Sequence, residues 1–192
     1  MARSAPGPTI GATSGVVFST LTNAIKLRRC ESVSEMPGHH LGRLSRVWLR
    51  QPVFFLTVCT QARRFLLAEP RPAGILCEEW RAAEDRHGWR IGRYVIMPYH
   101  VHFFATPMAT AKPLELFVGR WKEWTAKAIG RATVIALPLW QHRFFDHVLR
   151  STESYAEKWE YVRQNPVRAG LATQPDGWPY AGSIHFDSWD VS

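Results

Sequence analysis

The chain has 192 residues, of which 46% are hydrophobic and 21% charged, a composition typical of a globular protein with a substantial core. Its formal net charge of +8 favours a polyanionic partner, nucleic acid before membrane. No apolar run reaches the roughly 18 residues of a transmembrane helix. The three cysteines have no CxxC spacing, which argues against a disulfide framework or structural zinc site and favours a reducing, cytoplasmic compartment.

Residues 1–42 differ in composition from the rest of the chain. They are rich in Ser, Gly, Ala, Thr and Pro, and no acidic residue occurs before Glu31. We expect a flexible N-terminal extension here; an over-called start codon or a transit peptide would also explain such a stretch. The folded domain is predicted over residues 43–186, followed by a tail over 187–192.

Hydrophobic patterning predicts the first half of the domain in chain order. It indicates a strand, then a helix opened by prolines and ended by Gly88, then two strands with only Pro98-Tyr99 between them. These two strands form either a tight hairpin or one strand bent at Pro98. The predicted strands cover 53–60, 89–97 and 100–106, and the helix runs from Arg71 to Gly88.

The second half adds a helix, a strand and a third helix that Ser151 or Thr152 caps and Asn165-Pro166 ends. The resulting order, βαββαβα, has two βαβ halves around an antiparallel hairpin. It predicts an α+β fold, a ferredoxin-like sandwich in which helices pack on an antiparallel sheet. These last elements are predicted over 112–129, 139–149 and about 152–165.

Two histidines, His100 and His102, flank one hydrophobic residue on the third predicted strand. Side chains two positions apart on a strand face the same way, so both imidazoles can reach one divalent metal ion. The pattern HxH often arises by chance, and a polar pair on the sheet surface is the alternative.

Tyr161 lies on a polar stripe of the third helix, whereas Tyr155, Trp159 and Val162 fall at the spacing of its buried face. Asn165 follows one turn later, so the phenol and the amide can point at the same spot. The amide oxygen is a candidate third metal ligand, or else Asn165 caps the helix. A metal ion and a positioned tyrosine together suit phosphodiester cleavage through a covalent intermediate.

Further residues are candidates for contacts with DNA. Two arginines after the first strand and one after the third helix suit phosphate contacts, although each alone also fits a solvated surface charge. A tryptophan off the buried stripe of the second helix suits stacking on a base, and a lysine lies one turn before Tyr161. The candidate DNA-binding residues are Arg63, Arg64, Trp124, Lys158 and Arg168.

These motifs resemble those of the single-tyrosine HUH transposases, and among them the REP-associated tyrosine transposases of bacteria. The resemblance spans about residues 43–186, with several separate motifs in the family's order. The motifs are RVW at 46–48, MPYHVH at 97–102, WK at 121–122 with TA at 125–126, LWQ at 139–141, FDH at 145–147, YVRQNPVRAGL at 161–171 and WPY at 178–180.

The resemblance implies a ferredoxin-like sheet with the histidine pair on a central strand and the nucleophile on a C-terminal helix. It implies that His100, His102 and Asn165 bind Mg²⁺ or Mn²⁺. Tyr161 would attack single-stranded DNA that carries palindromic hairpins, leaving a 5′-phosphotyrosine and a free 3′-OH. Another 3′-OH would then rejoin the strands without ATP. Many members of the family act as dimers, so a homodimer is one state that the resemblance allows.

One departure from the family pattern is Tyr99, directly before the first histidine, where Asn or Glu is more usual. Tyr99 stacks on a base, crowds the site or does neither, and no catalytic group is missing. Two alternatives to the transposase stay open. One is a non-cleaving module, derived from such a transposase, that binds hairpin nucleic acid; the other is a metal-dependent nuclease that uses activated water and forms no covalent product.

Overall fold

The computed structural model describes residues 52–188. The extension expected over 1–42, the motif at 46–48 and the last residues of the predicted tail lie outside this range. None of the helices described is long and apolar enough to cross a membrane. The strands are β1 Val53–Cys59, β2 Trp89–Met97, β3 His100–Pro107, β4 Phe145–Leu149 and β5 Ala181–Ser183, and the α-helices are α1 Pro70–Arg81, α2 Ala83–His87, α3 Leu114–Ala132, α4 Thr152–Arg163 and α5 Asn165–Arg168.

The strands form one antiparallel sheet in the order β4-β1-β3-β2-β5. The first four strands of this order, linked in sequence through α1 and α3, give the predicted ferredoxin-like α+β sandwich. β3 lies in the centre of the sheet, with β1 on one side and β2 on the other. The strand with the histidine pair is therefore held along both edges.

Different helices cover the two faces of the sheet. Phe103 of β3 packs against Trp121 of α3, with ring centroids 5.6 Å apart. Its neighbour Phe104 points to the opposite face, where its ring centroid lies 4.5 Å from that of Tyr155 in α4. Because side chains alternate along a strand, the histidine pair shares the α4 face with Phe104.

A tight hairpin joins β2 to β3, which is one of the two predicted arrangements. Met97 and His100 pair directly, so Pro98-Tyr99 is the whole connection, and the alternative of one bent strand is wrong. The carbonyl oxygen of Pro98 accepts hydrogen bonds from the backbone N–H groups of Leu66 and Leu67 at 2.7 and 2.9 Å. The segment after β1 thus fixes the turn that precedes the histidines.

The fourth strand is shorter than the predicted 139–149. Only Phe145–Leu149 pairs along β1, and Trp140 makes an isolated bridge with Thr60. The reason is that the Trp140 ring is part of the core. Its Nε1 donates to Thr125 Oγ1 at 2.9 Å, and its ring centroid lies 5.1 Å from that of Trp121. The apolar start of this stretch therefore anchors a loop instead of forming a strand.

The end of α2 and the start of α4 follow the predicted signals, whereas α3 continues past Gly130 to Ala132. Gly88, with a φ of 72°, ends α2, which Ala82 separates from α1. Ser151 caps α4 through its Oγ, which accepts from the Ser154 N–H at 3.1 Å. The helix ends at Arg163, and the chain turns into α5 where Pro166 was expected to end it.

Candidate active site

His100 and His102 lie side by side on the α4 face of β3, with ring centroids 4.7 Å apart. Thr57 pairs with His102 across β1 and β3, and its Oγ1 is 2.8 Å from His102 Nδ1. Phe55, two residues earlier on β1, stacks on the His102 ring at a centroid distance of 5.4 Å. The two imidazoles therefore share one face of the sheet, as the strand spacing predicts, and β1 orients the second of them.

The protein environment keeps both imidazoles neutral at neutral pH. Burial lowers the pKa of His100 to about 4, and the charge of Arg63 adds to this effect. The pKa of His102 is well below its ordinary value, chiefly because the protein desolvates the ring and further because of His100, Lys158 and Arg168. Neutral imidazole is the form that binds a metal ion. The pair is thus in the metal-binding protonation state.

The donor atoms of the pair suit a divalent cation. Nδ1 of His100 is buried and has no hydrogen-bond partner among the described residues, an unusual state for a polar atom in a protein interior. When His102 Nδ1 donates its proton to the Thr57 hydroxyl, Nε2 keeps the lone pair that a metal ion needs. Between residues 52 and 188, no group of three or more His, Cys, Asp and Glu side chains could hold a metal ion. A cation at this pair would therefore take its other ligands from amide, phosphate or water oxygens.

The two tyrosines of α4 differ sharply in exposure. Tyr161 is 62% exposed, whereas Tyr155 is 4% exposed and packs on Phe104. This separates the polar stripe of the helix from its buried face, as predicted. The Tyr161 phenol is accessible to a polymeric substrate, on the helical layer that covers the histidine face of the sheet.

Arg168 of α5 contacts both Tyr161 and Asn165. Its Cζ lies 4.4 Å from the centroid of the Tyr161 ring, and its Nη2 donates to the Tyr161 carbonyl oxygen at 2.6 Å. The same Nη2 donates to Asn165 Oδ1. The C-cap residue of α4 is Gln164 and not Asn165. The Asn165 side chain contacts Arg168. The amide oxygen of Asn165 retains a second lone pair for a further ligand.

Lys158 lies between the histidine pair and the tyrosine. Its Nζ is 5.3 Å from the centroid of Phe55, the ring that stacks on His102, and 5.8 Å from the centroid of Tyr161. Its positive charge contributes to the lowered pKa values of His102 and His147. Together with Arg168, Lys158 makes this region attractive to a phosphate group.

Arg63 lies at the other end of the histidine pair, where its charge reaches His100. Its Cζ is 5.9 Å from the centroid of the Tyr99 ring. The φ angles of Ala62 and Arg63 are 54° and 52°, in the left-handed region that non-glycine residues rarely adopt. Backbone strain of this kind is concentrated at functional sites. The turn after β1 therefore brings Arg63 to the site at a conformational cost.

Two of the residues predicted to contact DNA, Arg64 and Trp124, do not lie at the histidine pair. The Arg64 guanidinium donates to the carbonyl oxygens of Ala136, at 2.7 Å, and Pro138. Its donors thus hold a loop in place. Trp124 is 51% exposed with Arg86 over its ring, but it belongs to α3, the helical layer on the opposite face of the sheet.

Two residues that orient His102, Thr57 and Phe55, were not among the sequence candidates. His147 of β4 lies opposite Phe55 in the strand register. Only the pairing of β1 with its neighbours brings these side chains together. Thr57 could have been predicted from the sequence only by aligning β1 with β3 in the correct register, which places it opposite His102.

No family model matches the chain. In sequence, the chain is 28% identical over 142 residues to the REP-associated tyrosine transposase of Escherichia coli (strain K12), over 74% of this chain and 82% of the relative. In structure, it is similar to a REP-associated tyrosine transposase bound to a REP hairpin, with a TM-score of 0.59 and 24% identity over 71% of this chain and 79% of the other. The sequence match and the shared fold together confirm the resemblance of this chain to the REP-associated tyrosine transposases.

Proposed function

We propose that this protein is a metal-dependent transposase that cleaves and rejoins single-stranded hairpin DNA through a 5′-phosphotyrosine intermediate at Tyr161. One observation carries the proposal: Arg168 contacts the exposed Tyr161 and Asn165 together, and its charge reaches His102. The transposase relative supports it. The alternatives need no such link between an exposed phenol and a histidine pair.

His100 and His102, with the amide oxygen of Asn165, would hold Mg²⁺ or Mn²⁺. The neutral imidazoles and the unpartnered, buried His100 Nδ1 support this assignment. When bound, such an ion would act as a Lewis acid on the scissile phosphate.

In the cleavage step, the Tyr161 oxygen attacks phosphorus and releases its proton to solvent water. The new O–P bond forms as the bond from phosphorus to the 3′ oxygen breaks, and that oxygen takes up a proton from solvent water and leaves as a 3′-OH. Lys158 and Arg168 supply positive charge where negative charge develops on the phosphoryl oxygens. Attack by another 3′-OH on the phosphotyrosine restores a diester and releases the phenol, so no nucleotide is consumed.

The DNA partner that we propose is a palindromic hairpin with a single-stranded flank. The structurally similar transposase is bound to a REP hairpin. A net charge of +8 favours a polyanionic ligand of this kind. A homodimer stays a prediction of the family resemblance alone, and a cytoplasmic location stays a prediction from the cysteine content of the sequence.

The alternative is a hairpin-binding module that does not cleave. It is favoured by the lack, among residues 52–188, of a carboxylate that completes a metal site with the histidines.

Incubation with hairpin DNA separates the candidate functions by their products. The full chain is mixed with an end-labelled hairpin that has single-stranded flanks, with Mg²⁺, Mn²⁺ or EDTA, and the products are separated on a denaturing gel. The proposal predicts a metal-dependent protein–DNA band together with a shortened strand that ends in a 3′-OH. A shortened strand without any adduct would identify the nuclease, and bound but intact DNA would identify the binding module.

A further inference from the structure

Phe65 is an exposed aromatic residue beside Tyr99, which directly precedes the histidine pair. Its side chain is 62% exposed, and its ring centroid lies 5.4 Å from that of Tyr99. Tyr99 in turn contacts His100 at 4.5 Å, and His100 contacts His102 at 4.7 Å. The four rings thus form a continuous row from the exposed Phe65 to His100 and His102, the proposed metal ligands.

The segment that presents Phe65 is firmly anchored to the fold. The N–H groups of the next two residues, Leu66 and Leu67, both donate to the Pro98 carbonyl oxygen, and the Leu67 side chain is fully buried. The Thr60 hydroxyl donates to the carbonyl oxygen of the residue before Phe65 at 2.8 Å. Hydrogen bonds thus hold the backbone on both sides of Phe65, and its exposed ring projects from a fixed segment.

A positive charge accompanies the two rings. The Arg63 guanidinium carbon lies 5.9 Å from the centroid of Tyr99, and the left-handed turn at Ala62 and Arg63 brings it there. Aromatic faces beside a cationic group are the features with which proteins bind unpaired nucleotides. One exposed ring is far too small for a stable protein interface, which buries on the order of 1,000 Å².

We propose that Phe65, Tyr99 and Arg63 form a base-stacking subsite for an unpaired nucleotide next to the scissile phosphate. The base stacks on the exposed face of Phe65, and Arg63 contacts the adjoining backbone phosphate. This inference rests on the proposed function, because it takes single-stranded DNA as the ligand. In this subsite, Tyr99 packs against Phe65 on one side and contacts His100 on the other.

The subsite is tested by binding alone, in a Tyr161→Phe background that cannot form an adduct. The full chain is titrated against a fluorescent hairpin with a single-stranded flank, and then against the same DNA with one abasic nucleotide moved along the flank. Phe65→Ala is expected to raise the Kd for the intact flank roughly tenfold, whereas Phe65→Trp retains affinity because it keeps an aromatic face. Leu116→Ala, which removes an exposed apolar side chain from α3, is the matched control and leaves the Kd unchanged.

The abasic series identifies the stacked nucleotide. At one flank position, removal of the base should weaken the parent protein as much as Phe65→Ala does, and the two changes together should add little. Equal loss at every position, or no effect of Phe65→Ala on the intact flank, would overturn the subsite, even if the wild-type chain forms the covalent adduct. A position-specific loss in a chain that never forms an adduct would retain the subsite and reject the transposase. A chain that binds no hairpin or flank DNA would overturn both.

Discussion

Arg168 makes two contacts that a simple phosphate-binding residue would not need. Its guanidinium stacks on the Tyr161 ring and donates to Asn165 Oδ1. Arg168→Ala should therefore slow adduct formation in a single turnover by roughly 10²-fold, the scale seen when one preorganised donor is lost. Arg168→Lys should recover only part of the rate, because an ammonium group cannot stack or bridge as a planar guanidinium does.

Hairpin affinity provides the control for Arg168. If the side chain only contacts phosphate, Arg168→Ala weakens binding and reduces the salt dependence, but the rate at saturating DNA stays the same. An unchanged rate at saturation would therefore contradict a positioning role.

The low pKa of His100 predicts how stability changes with pH. The pKa of His100 is about 4 in the folded protein, against 6.5 for an unburied imidazole. Between these pH values the unfolded chain therefore binds more protons than the folded chain. The free energy of unfolding should therefore fall as the pH is lowered from about 6.5 to 4, and level off above this window. Urea denaturation without metal measures this slope, and His100→Gln should make it shallower. Identical slopes for the two proteins would mean that His100 titrates normally.

Residue-level prediction from the sequence succeeded where spacing alone decides the geometry. The alternation of a strand places His100 and His102 on one face, and helical periodicity places Tyr161 in the solvent and Tyr155 in the core. It gave no sign that the Arg64 guanidinium contacts the carbonyl oxygens of Ala136 and Pro138, because these residues lie more than 70 positions away in the chain. No local pattern contains that contact.

At the scale of the elements, Gly88 controls the passage from α2 into β2. Its φ is 72°, and a Cβ at this position would lie 2.8 Å from the Cα of Ala111. Gly88→Ala should lower the free energy of unfolding by more than about 1 kcal/mol, because the conformation and the backbone contact are both unfavourable.

Gly74 in α1 is the matched control for Gly88. A Cβ there meets nothing within 4 Å, so Gly74→Ala should raise stability by up to about 1 kcal/mol. Chemical denaturation measures both changes. Equal effects of the two substitutions would contradict the role assigned to the Gly88 turn.

The elements that the sequence predicted well are those with a long periodic pattern or a sharp boundary signal. β2 and α4 lie close to their expected ranges. β5 was not predicted, because Ala181–Ser183 contains no β-branched or aromatic residue and forms a strand only by pairing with the edge of β2. Tertiary pairing thus decides this element, and no local preference indicates it.

At the scale of the whole molecule, the sheet separates two candidate DNA surfaces. Lys158 and Arg168 lie on the α4 side, whereas Trp124 lies on α3 across the sheet. If hairpin DNA binds the α4 side, Lys158→Ala should raise the Kd and lower the slope of log K against log salt by about one. Trp124→Ala should change neither quantity. A loss of affinity confined to Trp124→Ala would place the DNA on the other layer.

The central claim is that Tyr161 forms the covalent bond to DNA. The most direct measurement is adduct formation with hairpin DNA and Mn²⁺ by the wild-type chain, Tyr161→Phe and Tyr155→Phe, followed by mass spectrometry of the peptide that carries the DNA. The wild type and Tyr155→Phe should both give an adduct on the α4 peptide that contains Tyr161, because the buried hydroxyl of Tyr155 takes no part. Tyr161→Phe should bind the hairpin and give no adduct. Strand cleavage or an adduct that persists in Tyr161→Phe would contradict the account.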